Sequence, residues 1–223
     1  MKAGRDYDGL KRLMDVAIAL VACIVTLPIQ CVIAILVYKN LGRPVLFRQA
    51  RPGKDGKIFM LLKFRSMKPP LPGSPVPADA TRLTSFGRAL RASSLDELPS
   101  LWNVVKGDMS LVGPRPLLPQ YLERYTPEQN RRHEVRPGIT GLAQVTGRNG
   151  IGWDEKFQLD VKYVDSRSLG LDLRILAGTV LKVVQRDGIS QPGMATMSEF
   201  MGNLTPGGGS SPIEENESNP SST

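Results

Sequence analysis

"VAIALVACIVTLPIQCVIAILV", residues 16–37, runs for 22 residues without a charged side chain, and what it becomes decides the architecture of the chain. A membrane-spanning helix needs about 20 consecutive apolar residues, so the run is long enough for lipid. A cleaved leader fits poorly, because the stretch is too long for one and no small-residue cleavage site follows Val37. A buried core helix is the soluble alternative. Two features argue against a simple crossing. Pro28 falls mid-run, flanked by Thr26 and Gln30, and its missing N–H and its ring predict a break in the helix. Basic residues also stand at both ends: Lys2, Arg5, Lys11 and Arg12 before the run, and Lys39, Arg43, Arg48, Arg51 and Lys54 after it. Lysine and arginine mark the cytoplasmic side of a membrane segment. Both ends are therefore expected on that side, as a helix that enters, bends at Pro28 and returns would place them. Thr26 is a local group able to satisfy backbone carbonyls freed at the bend.

Outside the run, the 223 residues are 41% hydrophobic and 22% charged over the whole chain, enough for one domain with its own core. The net charge is +8, but residues 205–223, "TPGGGSSPIEENESNPSST", hold three glutamates and no base. Residues 1–204 thus carry all 29 basic groups against 18 acids, or +11. Such a body implies an anionic partner, whether nucleic acid, acidic lipid or a phosphorylated substrate. The tail is expected to be disordered. Cys23 and Cys31 both lie inside the apolar run, which excludes a disulfide framework or a cysteine metal cluster. The single histidine, His133, stands among charges in "NRRHEVRPG" and reads as a solvated surface residue.

Beyond the run, "PVLFRQARPGKDGKIFMLLKFRSM" (44–67) places two strand-like segments around a hairpin turn at "PGKDGK". "KPPLPGSPVPADA" (68–80) is a proline-rich surface loop. "RPGITG" and "GRNG" have turn chemistry, with Pro137 and Gly138 suited to a type II turn. Helical spacing returns at Trp153, Phe157, Val161 and Val164, and again from Leu173 to Val184, ending before Gly188. The expected fold is α+β and mainly helical: a membrane helix over residues 1–40, a compact domain with a short β-hairpin over 41–204, and the tail over 205–223.

Chemistry concentrates in "SSLDELPSLWNVVKGDMSLVGPRP", residues 93–116, where Asp96 and Glu97 are adjacent. Ser94 followed three residues later by Glu97 is a capping-box pattern, so the acids can be read as a helix start. Pro99 disturbs that reading, since it would delete a bond inside the helix; the helix must begin late or strained. No Walker loop, GxGxxG after a strand, zinc spacing or nucleophile elbow is present. Adjacent carboxylates also cannot flank one glycosidic bond, which needs acids about 5 to 10 Å apart. They suit two tasks at one centre: one carboxylate holding Mg²⁺, the other attacking phosphorus. Arg115, between two prolines, is restricted in backbone and suited to phosphate oxygens. Lys63, Arg65, Arg91 and Arg148 are further candidates for an anion site.

"KRLMD", the proline-interrupted apolar run, "RPG", "KFRSM", "RASSLDELPSLWNVVKGDMSLVGPRP", "VRPGITGLAQVTGRN" and "FQLDVKYV" occur in this order. Together, from about Leu10 to Asn203, they resemble the bacterial sugar transferases known as monotopic phosphoglycosyl transferases, in their short catalytic-domain form. The resemblance implies a re-entrant helix at the cytoplasmic face of the bacterial inner membrane. It also implies transfer of a sugar 1-phosphate from a UDP-sugar to polyprenyl phosphate, with release of UMP. By the family's Asp-Glu motif, Asp96 is the implied nucleophile of a covalent phosphosugar intermediate and Glu97 the implied Mg²⁺ ligand. Lys63, Arg91 and Arg115 would contact phosphate, and Arg148 the nucleotide or pyrophosphate. The family often has Ser-Pro at the helix break, where this chain has Leu27-Pro28; the serine's role would pass to Thr26. The competing reading is a membrane-tethered basic protein that binds nucleic acid or acidic lipid without catalysis. No aromatic-interleaved RNA motif or recognition helix supports it, and nucleic acid is not an expected partner.

Overall fold

The computed structural model describes residues 3–69, 82–147, 151–185 and 199–202. Arg148, most of the proline-rich loop, the segment containing Gly188 and the acidic tail lie outside the described residues. Helix α1, Ala3–Leu41, takes up the entire apolar run and stays helical through Pro28. The expected break is not found. Packing on both sides of the proline explains its continuity: Asp15, Ala19, Cys23, Ile33 and Val37 are buried, with Thr26 and Gln30 half-buried between them. One stripe at helical spacing thus faces the protein along the helix and offsets the bond that proline cannot make. Thr26 Oγ1 donates to the Ala22 carbonyl at 2.6 Å and accepts from Gln30 Nε2 at 3.0 Å. The carbonyl that Pro28 leaves without its helical donor is that of Ile24, so Thr26 does not take the part expected of it.

Both flanks of the apolar run are fastened to the same domain. Before it, Tyr7 and Lys11 bond Asp172, and Asp15 accepts from Ser110 Oγ at 2.7 Å and Leu111 N at 3.2 Å. After it, the Arg65 guanidinium donates to the carbonyls of Leu41, Gly42 and Arg43, capping the helix where its dipole is negative. The opposite face exposes Ile18, Val21, Ile24, Val25, Ile29, Val32 and Ile35 to the surroundings. Among the described residues α1 is the one helix long and apolar enough to cross a membrane.

Strands β1 (Leu46–Pro52) and β2 (Ile58–Phe64) form the expected antiparallel hairpin, pairing Phe47 with Lys63 and Arg51 with Phe59. The turn at Lys54–Gly56 uses Asp55 and Gly56 at φ of 55° and 72°. Helix α2 (Ser85–Ala92) is capped by Thr84, whose hydroxyl accepts from Gly87 N. A Cβ at Gly87 would collide with the Ser66 carbonyl oxygen, so this glycine lets α2 lie directly on "KFRSM". After a 3-10 turn at Leu95–Ser100 come α3 (Leu101–Lys106) and β3 (Ser110–Val112). Helix α4 (Pro127–Asn130) precedes β4 (Gly138–Thr140), α5 (Leu142–Thr146), α6 (Trp153–Ser166) and α7 (Leu169–Gln185). The last two are the predicted helical stripes.

Pro137-Gly138 is not the expected type II turn. Gly138 opens β4, which pairs in parallel with β3, Ser110 opposite Gly138 and Val112 opposite Thr140. Any side chain at Gly138 would strike the backbone of Gly113, so a glycine is required by close approach rather than by turn conformation. His133 is likewise not on the surface: it is 7% exposed, and its Nδ1 meets the Gly53 carbonyl at the hairpin turn, 3.2 Å away. The main core joins Ala19 and Cys23 of α1 to Leu61, Val104, Met109, Val112, Tyr163 and Ile175, and a second cluster joins Ile33 and Val37 to Phe64 and Leu90.

Candidate active site

The acid pair lies in the 3-10 turn Leu95–Ser100, and the cap reading fails there. Ser94 has a left-handed backbone, φ 55°, and its side chain makes no capping bond. Pro99 is accommodated because α3 begins only at Leu101, the late start being one of the two outcomes that the sequence left open. The turn is fixed by side chains that finish the edge of β2. Ser100 Oγ donates to the Leu62 carbonyl at 2.7 Å, Asn103 Oδ1 accepts from Leu62 N at 3.0 Å, and Asn103 Nδ2 donates to the Met60 carbonyl at 2.8 Å. Asn103 is 1% exposed, so these bonds are shielded from water. They set the acid pair against Lys63, one residue further along the same strand.

Glu97 is consequently held by two cations. Its Oε1 lies 2.5 Å from Lys63 Nζ and 3.2 Å from Arg115 Nη2. Burial would push this carboxyl up, but Lys63 and Arg115 outweigh it and bring it down to about 2. Asp96 is the opposite case. It is 8% exposed, and among the described residues no side chain bonds its carboxylate. Burial, and then the charge of Glu97, push it up to about 6 against the pull of Lys63, Arg91 and Arg115. Its cationic neighbours thus offset only part of the effect of burial.

Lys63, Glu97 and Arg115 line one pocket together with Arg51, Ser100, Met109, Pro116 and Gly138. Arg91 stands on the Asp96 side, its Nε donating to Ser66 Oγ at 2.9 Å. Four of the cations and acids named from sequence are thus gathered around Asp96, while Arg148 lies outside the described residues. A larger groove, along α6 between Thr126 and Asp165, contains none of them.

The "GPRP" segment is braced from behind. Arg132, 3% exposed, pairs with buried Asp160 at 2.8 Å and donates to the Arg115 carbonyl at 2.6 Å. Arg51 Nη1 donates to the next carbonyl, that of Pro116, at 3.2 Å. Sequence reasoning missed Arg51, Ser100, Asn103, Arg132 and Asp160 as parts of the site. Asp160 within "FQLDVKYV" was the one available signal, an acid on the apolar stripe of a helix.

Mg²⁺ is the metal implied by the resemblance. Among the described residues no three His, Cys, Asp or Glu side chains converge. Glu97 offers one ionised carboxylate whose Oε2 has no side-chain partner among them. One carboxylate with substrate phosphate oxygens is an ordinary donor set for this ion, so the residues fit a metal that arrives with substrate, not a preformed cage.

A sequence profile described as bacterial sugar transferase matches residues 6–186. A Bacillus subtilis protein, "Uncharacterized sugar transferase EpsL", is 52% identical over 196 residues, covering 86% of this chain and 96% of that one. A Caulobacter vibrioides UDP-glucose:undecaprenyl-phosphate glucose-1-phosphate transferase is 40% identical over 193 residues, covering 81% of this chain and 72% of its own length. The undecaprenyl-phosphate galactose phosphotransferase of Salmonella typhimurium is 38% identical over 204 residues, covering 83% of this chain but only 43% of its own. With the profile running from the start of α1 to the end of α7, and half of the aligned positions shared with a relative matched almost end to end, the chain belongs to the bacterial sugar transferase family.

Proposed function

We propose that the protein transfers a sugar 1-phosphate from a UDP-sugar to undecaprenyl phosphate, releasing UMP, as the first membrane step of glycoconjugate assembly. The relatives named for this reaction are named for galactose or glucose. The observation that carries the reading is the unequal acid pair. Asp96 is buried, bonded by no side chain among the described residues and surrounded by three cations, while Glu97 is locked to two of them. A carboxylate without hydrogen bonds keeps its lone pairs for a phosphorus atom. Lys63, Arg91 and Arg115 would orient the diphosphate and offset the charge gathering on its oxygens. Bound at Glu97, Mg²⁺ would supply further charge neutralisation to the phosphates. Asp96 then forms a bond to the sugar-bearing phosphorus as the bond to the bridging oxygen breaks, and UMP leaves. Undecaprenyl phosphate displaces Asp96 in a second step.

We read α1 as an unbroken helix held against one leaflet from the cytoplasmic side, not as one that turns back at Pro28. A 39-residue helix is about 58 Å long, well beyond the bilayer core of about 30 Å. Yet the residues flanking its apolar run hold one and the same domain, and both flanks are basic. The unbound apolar face of α1, with Pro28 within it, would lie in lipid. Leu173, Val180 and Leu181 of α7 are also exposed and would add a second contact.

The test is UMP release without acceptor. Wild-type protein mixed with a panel of UDP-sugars and Mg²⁺ should release at most one UMP per site from the accepted sugar, and intact-mass measurement should show the gain of one phosphosugar. Turnover that requires both substrates together, with no mass gain, would rule out the covalent route.

A further inference from the structure

Alternation along the hairpin sends Phe47, Gln49 and Arg51 of β1 to the same face as Lys63, Leu61 and Phe59 of β2. Arg51 and Lys63 therefore reach the same pocket from one ribbon, with Arg115 opposite. Like Arg91, whose Nε donates to the Ser66 hydroxyl, Arg51 bonds no carboxylate, which sets it apart from several other partly buried guanidiniums. Arg132 has Asp160 and Arg167 has Asp8. Arg12 and Arg65 lack carboxylates but sit on the last carbonyls of α3 and α1, where the helix dipole is negative. The partners of Arg51 are two neutral groups outside any helix end, the Pro116 carbonyl at 3.2 Å and Gln49 Oε1 at 2.6 Å. Its Nε is buried and has no partner among the described residues. A cation kept in a pocket without a counter-ion is costly and invites an anion.

Position identifies which anion. Arg115 bonds Glu97 at 3.2 Å, and Arg51 bonds the carbonyl of the next residue, Pro116, at 3.2 Å. Arg115 thus stands between the acid pair and Arg51. We propose that Arg51 binds the phosphate that leaves with the nucleotide, so that the diphosphate lies across Arg115 with its sugar-bearing phosphorus at Asp96 and its other phosphorus at Arg51. This rests on the sugar-phosphate transfer proposed above. When the Asp96 oxygen bonds the first phosphorus, the bridging oxygen departs with its electron pair and the UMP phosphate becomes a dianion. The Arg51 fork, carrying unused N–H groups, meets that new charge with no proton transfer needed.

The experiment compares UMP with uridine, titrated into the full-length protein in nanodiscs by ligand-observed NMR. Arg51→Met should weaken UMP by about 10- to 100-fold, the worth of a charge-assisted bond, and leave uridine unchanged. Arg51→Lys should recover part of the UMP affinity. Melting curves establish folding, and Arg51→Gln replaces the methionine variant if that one does not fold. Equal UMP affinity in wild type and the folded variant would overturn the proposal. So would a parallel loss of UMP and uridine, which would mark Arg51 as a prop for Pro116. Selective loss of UMP in a protein that releases none from any UDP-sugar would keep the phosphate site and sink the transferase reading instead.

Discussion

Two clusters of buried charge can be compared side by side. At the start of α1, Asp172 accepts from Tyr7, Lys11 and Tyr163 at 2.6, 2.5 and 2.8 Å, and Asp15 accepts from Ser110 and Leu111. Both acids there are saturated. Beneath "GPRP" the inventory is similar, yet Asp96 bonds no described side chain and Arg51 keeps a buried N–H without a partner among the described residues. Saturated charge fixes one arrangement of elements, whereas unsaturated charge is stable only in prospect of a ligand. The first cluster is therefore read as the fastening of the membrane helix, and the second as the working site.

That contrast predicts opposite responses to the same chemical change. Asp96→Asn should lower turnover at least about a thousandfold, yet the protein should melt at or above the wild-type temperature, because a buried charge that no described side chain bonds has been removed. Near-normal turnover in a folded Asp96→Asn protein would erase the distinction. Asp172→Asn should do the reverse. Leaving Lys11 half-paired should cost about 3 kcal/mol of stability, measured by denaturant unfolding in detergent, while the molecules still folded keep their chemistry.

A smaller effect comes from His133, a third buried ionisable group of intermediate kind. Its Nδ1 is bonded to Gly53, its Nε2 is unpartnered, and Tyr125 and Arg132 face it. Burial, and then the Arg132 charge, bring the imidazole down to about 4. Between that value and the ordinary 6.5 the unfolded chain binds a proton that the folded protein refuses, so stability falls as pH is lowered through this window. Above pH 6.5 the contribution is complete. The loss should amount to about 3 kcal/mol at most, and melting curves of His133→Gln should lack it relative to wild type.

How far the sequence foretold this follows from the range of each interaction. The hairpin turn and the helical spans of α6 and α7 are set by neighbours and are as the chain implied, although Leu173, Val180 and Leu181 of the α7 stripe are exposed and not in the core. Lys63, Glu97 and Arg115 do converge, although 34 and 18 residues separate the members of each ion pair. What could not be read is what distant partners decide. Three-residue strands such as β3 and β4 have no periodicity, so Gly138 looked like a turn. His133 is buried by a carbonyl 80 residues away, and helix α1 survives Pro28 because the domain packs along it. Arg51 looked like one more basic flank of a membrane helix, since nothing local tells a guanidinium that it will face Arg115.

The side chains that finish β2 have a further consequence. A two-stranded ribbon leaves rows of backbone donors and acceptors open, and such a row is a template on which another chain can add a strand. Asn103 and Ser100 occupy the outward groups of Met60 and Leu62 with amide and hydroxyl in place of a third strand. The residues that seat the acid pair therefore also guard the ribbon against foreign pairing. A chain that lost Asn103 would have its carboxylates adrift and, at the same moment, a vacant edge on which copies of itself could assemble.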